Sequence, residues 1–357
     1  MSNRVITGRQ VAAAVVVVLV TGCASLPKDL GRSDVDALVA ERGRPTLEAD
    51  TSLSELVGTL TAEPLTADSA IHIALVNNPR LSGAYARLGF AAAEVYAAGR
   101  IRNPVFLGSF LDSSVSGQRD QVTLGLVVSF TDLLTVPARK RLAAGEFAAM
   151  KQSIGAEVLD IAAEAETAYY RSVSAKQVAA LRRQIATASD LSAQLAGRFF
   201  DAGNLTPREL AMERAAASEQ RLRSLDADVD AYAARTGLAE VLGLSTADAW
   251  DAPARLGVPL REEDSLESLL VLARQSRLDL AAARTEADVL ADRLGVAGWT
   301  RWLGELDVGV ERERETEGGT LTGPTVGWEI PIFNQHRDQL LRISADLEIA
   351  FAEVARL

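Results

Sequence analysis

The 357-residue sequence is poor in the residue types that most catalytic and metal sites require. It has one cysteine, Cys23, and only two histidines, His72 and His336, which lie far apart in the sequence. A single cysteine cannot form an intrachain disulfide or a multi-cysteine metal site, and the histidines lack metal-ligand spacing. The sequence also has no phosphate-binding loop and no nucleophile elbow. We therefore expect a protein that is not an enzyme and that binds no metal.

Aromatic residues make up only 5% of the sequence, although hydrophobic residues make up 48%. Alanine, valine and leucine account for the difference, and Ala-rich stretches are typical of thin, closely packed helices rather than of a large globular core. The formal net charge is −11. Charges of both signs alternate along the helical segments and no basic block stands out, so no nucleic-acid partner is expected.

The N-terminus has the pattern of a bacterial export signal. Arg4 and Arg9 precede an unbroken apolar run, Val11–Val20, which has the length of a signal-peptide core and is too short to span a bilayer. The residues Val20-Thr21-Gly22-Cys23 then resemble the lipobox, in which cleavage before the cysteine is followed by lipidation. We expect a signal peptide over residues 1–22 and, as the only covalent group, lipid such as palmitate on Cys23. An ordinary signal peptide with an incidental cysteine is the alternative.

The chain contains two copies of one pattern, Leu65–Phe130 and Leu266–Phe333. Each copy begins with a helical segment, continues as an Ala-rich helix and ends in two segments of alternating polarity joined by a polar, Gly-containing loop. This repeat predicts the following organisation: a lipidated linker, 23–64; a first repeat, 65–264, with a strand pair, 104–130, a long helical hairpin, 137–242, and a side lobe, 243–264; and a second repeat, 265–357, with a helix, a strand pair, 305–333, and the start of a truncated helix.

The alternating segments are interpreted as strands of a transmembrane β-barrel. Alternation over about ten residues suits a strand with one face to lipid and the other to a wet lumen. A half-exposed sheet in a soluble domain has the same pattern, and the export signal and the repeat favour the barrel. Barrels begin at about eight strands, so either several copies of the chain combine their four strands or the protein does not span the membrane. Six residues are expected to face lipid: Val122, Leu124, Leu126, Val326, Trp328 and Ile330.

The charged run Glu311–Gly319 is expected to form a solvated loop between two of these strands. Thr123 and Thr325 are expected to face the lumen. His336 follows the last strand and is expected at the junction of the barrel with a helix, whereas His72 is interpreted as a packing or surface residue of a helix.

The helical hairpin is predicted from a segment without proline between Pro137 and Phe199, in which small apolar residues recur at the 3-4 spacing of a coiled coil. At 1.5 Å per residue this helix would be about 95 Å long. Gly203 suits a helix C-terminal cap, and Thr206 followed by Pro207 suits the start of the returning helix. That helix carries its own spacing pattern: Ala211, Ala215, Ser218, Leu222, Leu225, Val229, Tyr232, Thr236 and Ala239.

From about Leu65 onward, these features together resemble the TolC-like outer-membrane efflux proteins. The resemblance is carried by the helical segment Leu65–Leu81, the hairpin tip Phe200–Leu210, the end of the first strand pair, and Gly323–Asn334, whose Pro-Ile-Phe-Asn ending is typical of the family. It implies a mainly α protein with a small transmembrane β part, a homotrimer whose strands form one shared barrel, and a tunnel of periplasmic helices.

The resemblance also implies partners: a periplasmic adaptor, an inner-membrane pump and outer-membrane lipid. The adaptor would dock on residues at the hairpin tip, namely Arg198, Gly203, Asn204, Leu205, Thr206 and Leu210. The alternative is that Gly203 and Thr206 merely cap helices. The expected function is a lipid-anchored outer-membrane channel that conducts small molecules or metal ions from the periplasm to the exterior.

The second repeat departs from this family pattern because Leu357 comes only a few turns after its strands. We therefore expect a truncated second hairpin, and no gate residues can be named. Two other functions stay open, a periplasmic adaptor and a non-conducting structural outer-membrane lipoprotein. An adaptor should have a lipoyl-like split repeat of short β segments, which the sequence does not show.

Overall fold

The computed structural model describes residues 28–44, 58–245, 250–257 and 264–357. The export signal, Cys23 and much of the predicted linker lie outside the described residues. In chain order the elements are α1 (Arg32–Ala40), α2 (Ala67–Asn77), α3 (Pro79–Ala98), β1 (Val105–Leu111), β2 (Gln121–Ser129), α4 (Phe130–Asp201), α5 (Pro207–Leu242), α6 (Leu266–Ser276), α7 (Leu278–Thr300), β3 (Leu306–Arg314), β4 (Thr320–Trp328) and α8 (Arg337–Arg356).

The predicted repeat is visible as two matching series of elements. Helices α2 and α6 each have 11 residues, and each is followed by a one-residue break, a longer helix, an antiparallel strand pair and a further helix. The breaks fall at Asn78 and Arg277, both in extended conformation. The sequence predicted a single helix before the strands of the second repeat, and this was wrong because the helix is interrupted at Arg277. The guanidinium of Arg277 donates to the carboxylate of Asp279 at 2.6 and 3.0 Å, which satisfies that carboxylate at the start of α7.

The four strands form one antiparallel sheet in the order β1-β2-β3-β4. Every strand is paired with its neighbour in an unbroken register, for example Leu126 with Phe106 on one side and Val310 on the other. Strands from the two repeats therefore meet at the β2–β3 pair.

Helix α4 has 72 residues and begins at Phe130, seven residues before the predicted start. Pro137 lies inside it, in the second turn. A proline removes one backbone hydrogen bond there and costs about 3 kcal/mol. The hydroxyl of Thr135 donates to the carbonyl oxygens of Thr131 at 3.0 Å and Asp132 at 3.2 Å, so nearby carbonyls keep additional partners. No loop separates β2 from α4, since the strand ends at Ser129 and the helix begins at Phe130.

The chain divides into two compact units. One contains Ala86–Ser153 and Arg277–Leu357 with residues up to Ser33, and the other contains Asp34–Tyr85 and Ile154–Ser276. No helix of the described residues is both long and apolar enough to cross a membrane.

In the second of these units, α2 packs against the C-terminal end of α5. The side-chain amide of Asn77 donates to the carbonyl oxygens of Leu242 at 3.0 Å and Gly243 at 2.8 Å, and that of Asn78 donates to Val241 at 3.1 Å. These bonds satisfy carbonyls that the end of a helix leaves without partners. Gly243 has a φ of +65°, and a Cβ there would lie 2.6 Å from the carbonyl oxygen of Asn77. The pair Asn77-Asn78 therefore fastens the first repeat to the helical hairpin.

In the first unit, α7 packs closely against α4 and α8. A Cβ on Gly145 of α4 would clash with Val289 of α7, so glycine permits this approach. Ala287 and Leu290 form a small buried cluster with Ala350 of α8. Small side chains thus set the spacing of these helices, as the alanine-rich composition predicts.

Candidate functional site: a two-faced sheet and a hairpin tip

The sheet has one predominantly apolar face. In an antiparallel sheet, directly paired residues project from the same side. The register therefore places these residues, here called the apolar face, on one side: Phe106 and Phe110 of β1; Val122, Leu124, Leu126 and Val128 of β2; Leu306, Val308 and Val310 of β3; and Pro324, Val326 and Trp328 of β4.

Five of the six residues predicted to face lipid lie on the apolar face. Leu126 is 52% exposed, Val326 67% and Trp328 57%, so the chain itself leaves these side chains uncovered. Ile330 is also exposed but lies two residues beyond the end of β4, where the register does not assign a face. That this surface contacts lipid stays a prediction.

The opposite side of the sheet, here called the acidic face, carries three carboxylates together with small residues and several larger apolar ones. Asp307, Glu311 and Glu313 of β3 lie on it beside Thr123 and Thr325. Its other members are Val105, Leu107, Ser109, Leu111, Gln121, Gly125, Val127, Ser129, Gly309, Leu321, Gly323 and Gly327. The two threonines predicted to face the lumen therefore lie opposite to the apolar face.

The prediction that Glu311–Gly319 is a loop was wrong for its first four residues. Strand β3 continues to Arg314, and only Glu315–Gly319 forms the turn. The alternation Glu-Arg-Glu-Arg has the period of a strand, but it alternates in the sign of charge rather than in hydrophobicity. A prediction based on hydrophobicity alone therefore ends β3 before Arg314.

A buried carboxylate stabilises the junction of the sheet and the helices. The sequence did not predict it. Asp132 of α4 has a side chain only 8% exposed, and it accepts from the guanidinium of Arg102 at 2.8 Å. Arg139 lies 3.7 Å away, and Arg102 also pairs with Glu305 at 2.8 Å. Burial alone would raise the pKa of Asp132, but the hydrogen bonds from Arg102 and the charges of Arg139 and Arg102 lower it below the ordinary value.

The neighbouring Thr131 links the two repeats directly. Its hydroxyl donates to the carbonyl oxygen of Gly304 at 3.1 Å and accepts from the backbone N–H of Leu306 at 2.8 Å. Gly304 has a φ of +63°, and a Cβ there would overlap the carbonyl oxygen of Glu329. His336 lines the same small cleft, at the junction of strand and helix where the sequence placed it.

The hairpin tip has the predicted caps. Gly203 has a φ of +78°, its N–H donates to the carbonyl of Phe200, and the N–H of Asn204 donates to that of Phe199, each at 2.9 Å. This pattern is the Schellman motif that ends a helix. Thr206 and Glu209 form a reciprocal capping box at the start of α5, which follows with Pro207. Hydrogen bonds from the backbone and side chain of Thr206 lower the pKa of Glu209.

Around these caps lies an open, partly apolar groove of about 390 Å³, lined by Leu195, Phe199, Leu205 and Met212 among others. Of the six predicted docking residues, Arg198, Gly203, Asn204 and Thr206 are exposed and Leu205 is half-buried. Leu210 differs because its side chain is only 7% exposed. It belongs to the buried side of the first turn of α5, so it supports the tip from within rather than presenting its side chain.

The larger apolar residues of α5 are exposed. The small residues Ala217, Ser224 and Ala227 are buried. A stripe at 3-4-3 spacing lies outside instead, with exposures between 57% and 68%, and consists of Leu222, Leu225, Val229 and Tyr232. Such spacing is that of a coiled-coil seam. The predicted pattern of α5 is therefore a helix surface that nothing in the described part of the chain covers.

The sequence and the fold are each similar to those of known proteins. No family model matches the sequence. It is 27% identical to Protein CyaE of Bordetella pertussis over 312 residues, which cover 81% of this chain and 65% of CyaE, so the chain spans less than two thirds of that relative.

Three solved structures show the same architecture. A membrane protein from Pseudomonas aeruginosa has a TM-score of 0.66 and 18% identity, and the match covers 81% of this chain and 72% of that one. The outer membrane channel CmeC of Campylobacter jejuni has a TM-score of 0.64 and 16% identity, with 88% of this chain and 76% of that one covered. The outer membrane protein VceC of Vibrio cholerae has a TM-score of 0.63 and 20% identity, with 81% of this chain and 74% of that one covered. The predicted fold class, mainly α with a long helical hairpin and four strands, is confirmed. The chain has the fold of the TolC-like outer-membrane channels.

Proposed function

We propose that this protein is a subunit of an outer-membrane export channel, which lets small molecules or metal ions pass from the periplasm to the exterior. The observation that carries the proposal is the two-faced sheet. One face is almost entirely apolar over most of its length, and the other combines the carboxylates of β3, glycines and threonines with exposed apolar residues such as Leu107 and Leu321. A barrel wall needs this division, because its outside meets lipid and its inside meets water.

The sheet is too small to act alone. Its outer strands, β1 and β4, each have a neighbour on one side only, and four strands are fewer than a membrane barrel requires. Three copies would supply twelve strands and would remove the unpaired edges, which are otherwise prone to unspecific association. The exposed stripe on α5 supports the same assembly, because a neighbouring subunit's helix could cover it. The proposed active form is therefore a homotrimer.

The proposal includes a lipid anchor on Cys23, with the mature protein in the outer membrane and extending into the periplasm. It also includes a periplasmic adaptor and an inner-membrane pump as partners. The exposed caps and the apolar groove at the hairpin tip support an adaptor contact there. The pump partners would then determine which substrate the channel carries. A lipoprotein without a pore is the alternative outcome of the following test.

Ion conductance separates a channel from an adaptor or a structural lipoprotein. The purified full-length protein is added to planar bilayers, where we expect discrete conductance steps. Thr123→Arg would place a cation on the acidic face and should shift ion selectivity towards anions. A structural lipoprotein or an adaptor would give no steps, and that result would overturn the proposal.

A further inference from the structure

The apolar face changes character along β3. Val308 and Val310 are followed on the same side by Arg312 and Arg314, both exposed. Arg312 lies between Leu124 of β2 and Thr322 of β4, and Arg314 lies between Val122 and Thr320. Two guanidinium groups thus lie beside Thr320 and Thr322 at the turn end of a surface whose remaining length is apolar.

The carboxylates of the same strand point the other way. Glu311 and Glu313 alternate with the arginines and lie on the acidic face, where Gln121 donates a hydrogen bond to Glu313. Within the described residues, neither Arg312 nor Arg314 forms an ion pair with a carboxylate, whereas Arg102 and Arg141 do. The strand therefore sorts its charges by sign, with unpaired cations on the apolar face.

A third arginine lies beside this end of the sheet. Arg119 belongs to the turn between β1 and β2, and its backbone N–H donates to the carbonyl oxygen of Thr316 in the other turn at 3.0 Å. Acidic residues are also present in these turns, namely Asp112, Asp120, Glu315 and Glu317. They lie beyond the last paired rows of the strands, where the register assigns no face.

The length of β3 is close to the height of the apolar band of a membrane barrel. Trp328 and Leu306 pair at the opposite end of the apolar face. From Leu306 to Arg314 a strand rises about 27 Å at 3.4 Å per residue. With the usual barrel tilt of about 40°, this becomes about 20 Å of depth, close to the apolar band of membrane barrels. An aromatic residue at one boundary and arginines at the other are what the two interfaces of a membrane favour.

We propose that Arg312 and Arg314 bind the phosphate groups of anionic lipid headgroups at the outer boundary of the membrane. This inference rests on the proposed function, because it requires the apolar face to meet lipid. Guanidinium groups bind phosphate with two parallel hydrogen bonds and lose their hydration more readily than ammonium groups. Leu126 and Val310, paired in the next row of this face away from the turns, contact the acyl chains below the same headgroup, so a lipid is held at both ends and a free phosphate is not.

The test compares variants on the two faces of one strand. The full-length protein is reconstituted in phosphatidylcholine nanodiscs that contain a minor fraction of lipid A, and the lipid A retained per protein is measured by mass spectrometry. We expect the wild type to enrich lipid A. The variant Arg312→Gln/Arg314→Gln should lose about 25-fold of that preference, at roughly fivefold for each arginine near an anionic surface. The matched control, Glu311→Gln/Glu313→Gln, removes two charges from the opposite face and should keep the preference.

Three results would overturn the inference: equal enrichment in the arginine double variant, an equal loss in the glutamate control, or complete displacement of lipid A by inorganic phosphate. Arg312→Lys/Arg314→Lys retains the charge, so it should keep part of the preference, and its behaviour shows that the site tolerates substitution. Conductance of each variant is recorded in parallel. A wild type that conducts but does not enrich lipid A refutes this inference alone, whereas a wild type that neither inserts nor conducts refutes the proposed function as well.

Discussion

The two repeats use the same 11-residue helix in opposite ways. Helix α2 buries Ala70, Ile71, Ile73, Ala74 and Leu75. Helix α6 buries no residue, although it contains Leu269, Leu270, Val271 and Leu272. The first copy packs on the hairpin α4–α5 of its own chain, and the second finds no such partner in the described residues. Two helices of the same length and apolar character can therefore differ in burial, because one packs into the core of its own chain and the other stays exposed as a possible contact surface.

The largest effect is expected where this difference is tested directly. Ile73 is fully buried, and Leu272 occupies the equivalent position of α6 at 57% exposure. Ile73→Ala should lower the free energy of unfolding by about 2–5 kcal/mol because it leaves a cavity. Leu272→Ala should stay within about 0.5 kcal/mol if nothing covers α6. Denaturant unfolding of both variants checks this, and an equal, large loss would show that α6 is covered in the assembled protein.

The second effect compares the faces of the sheet. Leu126→Arg puts a charge in the middle of the apolar face and should cost about 2–4 kcal/mol if that face meets lipid. Thr123→Arg, on the same strand but the acidic face, should cost less. Refolding yields in lipid vesicles, followed by denaturant titration, measure both costs. Equal penalties on the two faces would argue against a barrel wall.

The third effect concerns the ion pair between Arg102 and Asp132 at the junction of the sheet and α4. Asp132→Asn weakens a buried charged hydrogen bond and should cost about 1–3 kcal/mol. Because the pKa of Asp132 is lowered in the folded protein, its contribution is complete above the ordinary aspartate range, about pH 4, and is lost as the pH falls through the folded-state value. Thermal unfolding between pH 7 and acidic pH should therefore show a shallower pH dependence in the variant. Parallel curves would contradict this role.

The smallest effect on stability, and the most specific one on function, is expected at the hairpin tip. Leu205 is half-buried at the surface groove. Leu205→Asp should abolish pull-down of the periplasmic adaptor while thermal stability stays near that of the wild type. The exposed Ala202→Asp, which adds the same charge at the end of α4, serves as a control and should retain more binding. If Leu205→Asp still binds, the tip is only a turn.

Much of this architecture follows from local patterns in the sequence. Strand positions follow from alternation, and the tip follows from Gly203, Thr206 and Pro207, because backbone conformation and capping depend on neighbouring residues. The helix breaks at Asn78 and Arg277 were not predicted, because they depend on hydrogen bonds that a helical pattern does not contain.

Other features depend on contacts between distant parts of the chain. Asp132 and Arg102 are 30 residues apart in the sequence, and the packing of the sheet and α4 brings them together. Which side of α5 is buried depends on α4, so the spacing of Leu222 and Leu225 predicted a seam but not its exposure. The extent of β3 was missed for a different reason, since its last residues alternate in charge rather than in hydrophobicity.

The direct passage from β2 into α4 has a mechanical consequence. Ser129 ends the strand and Phe130 begins the helix, and Thr131 and Asp132 are held by hydrogen bonds immediately beyond. A rotation of α4 about its axis should therefore also turn the end of β2, because no residue lies between the two elements. At the corresponding place in the second repeat, residues 329–336 separate β4 from α8 and end at His336, whose φ is +51°. The direction of α4 is therefore tied to β2 at once, whereas eight residues separate α8 from β4.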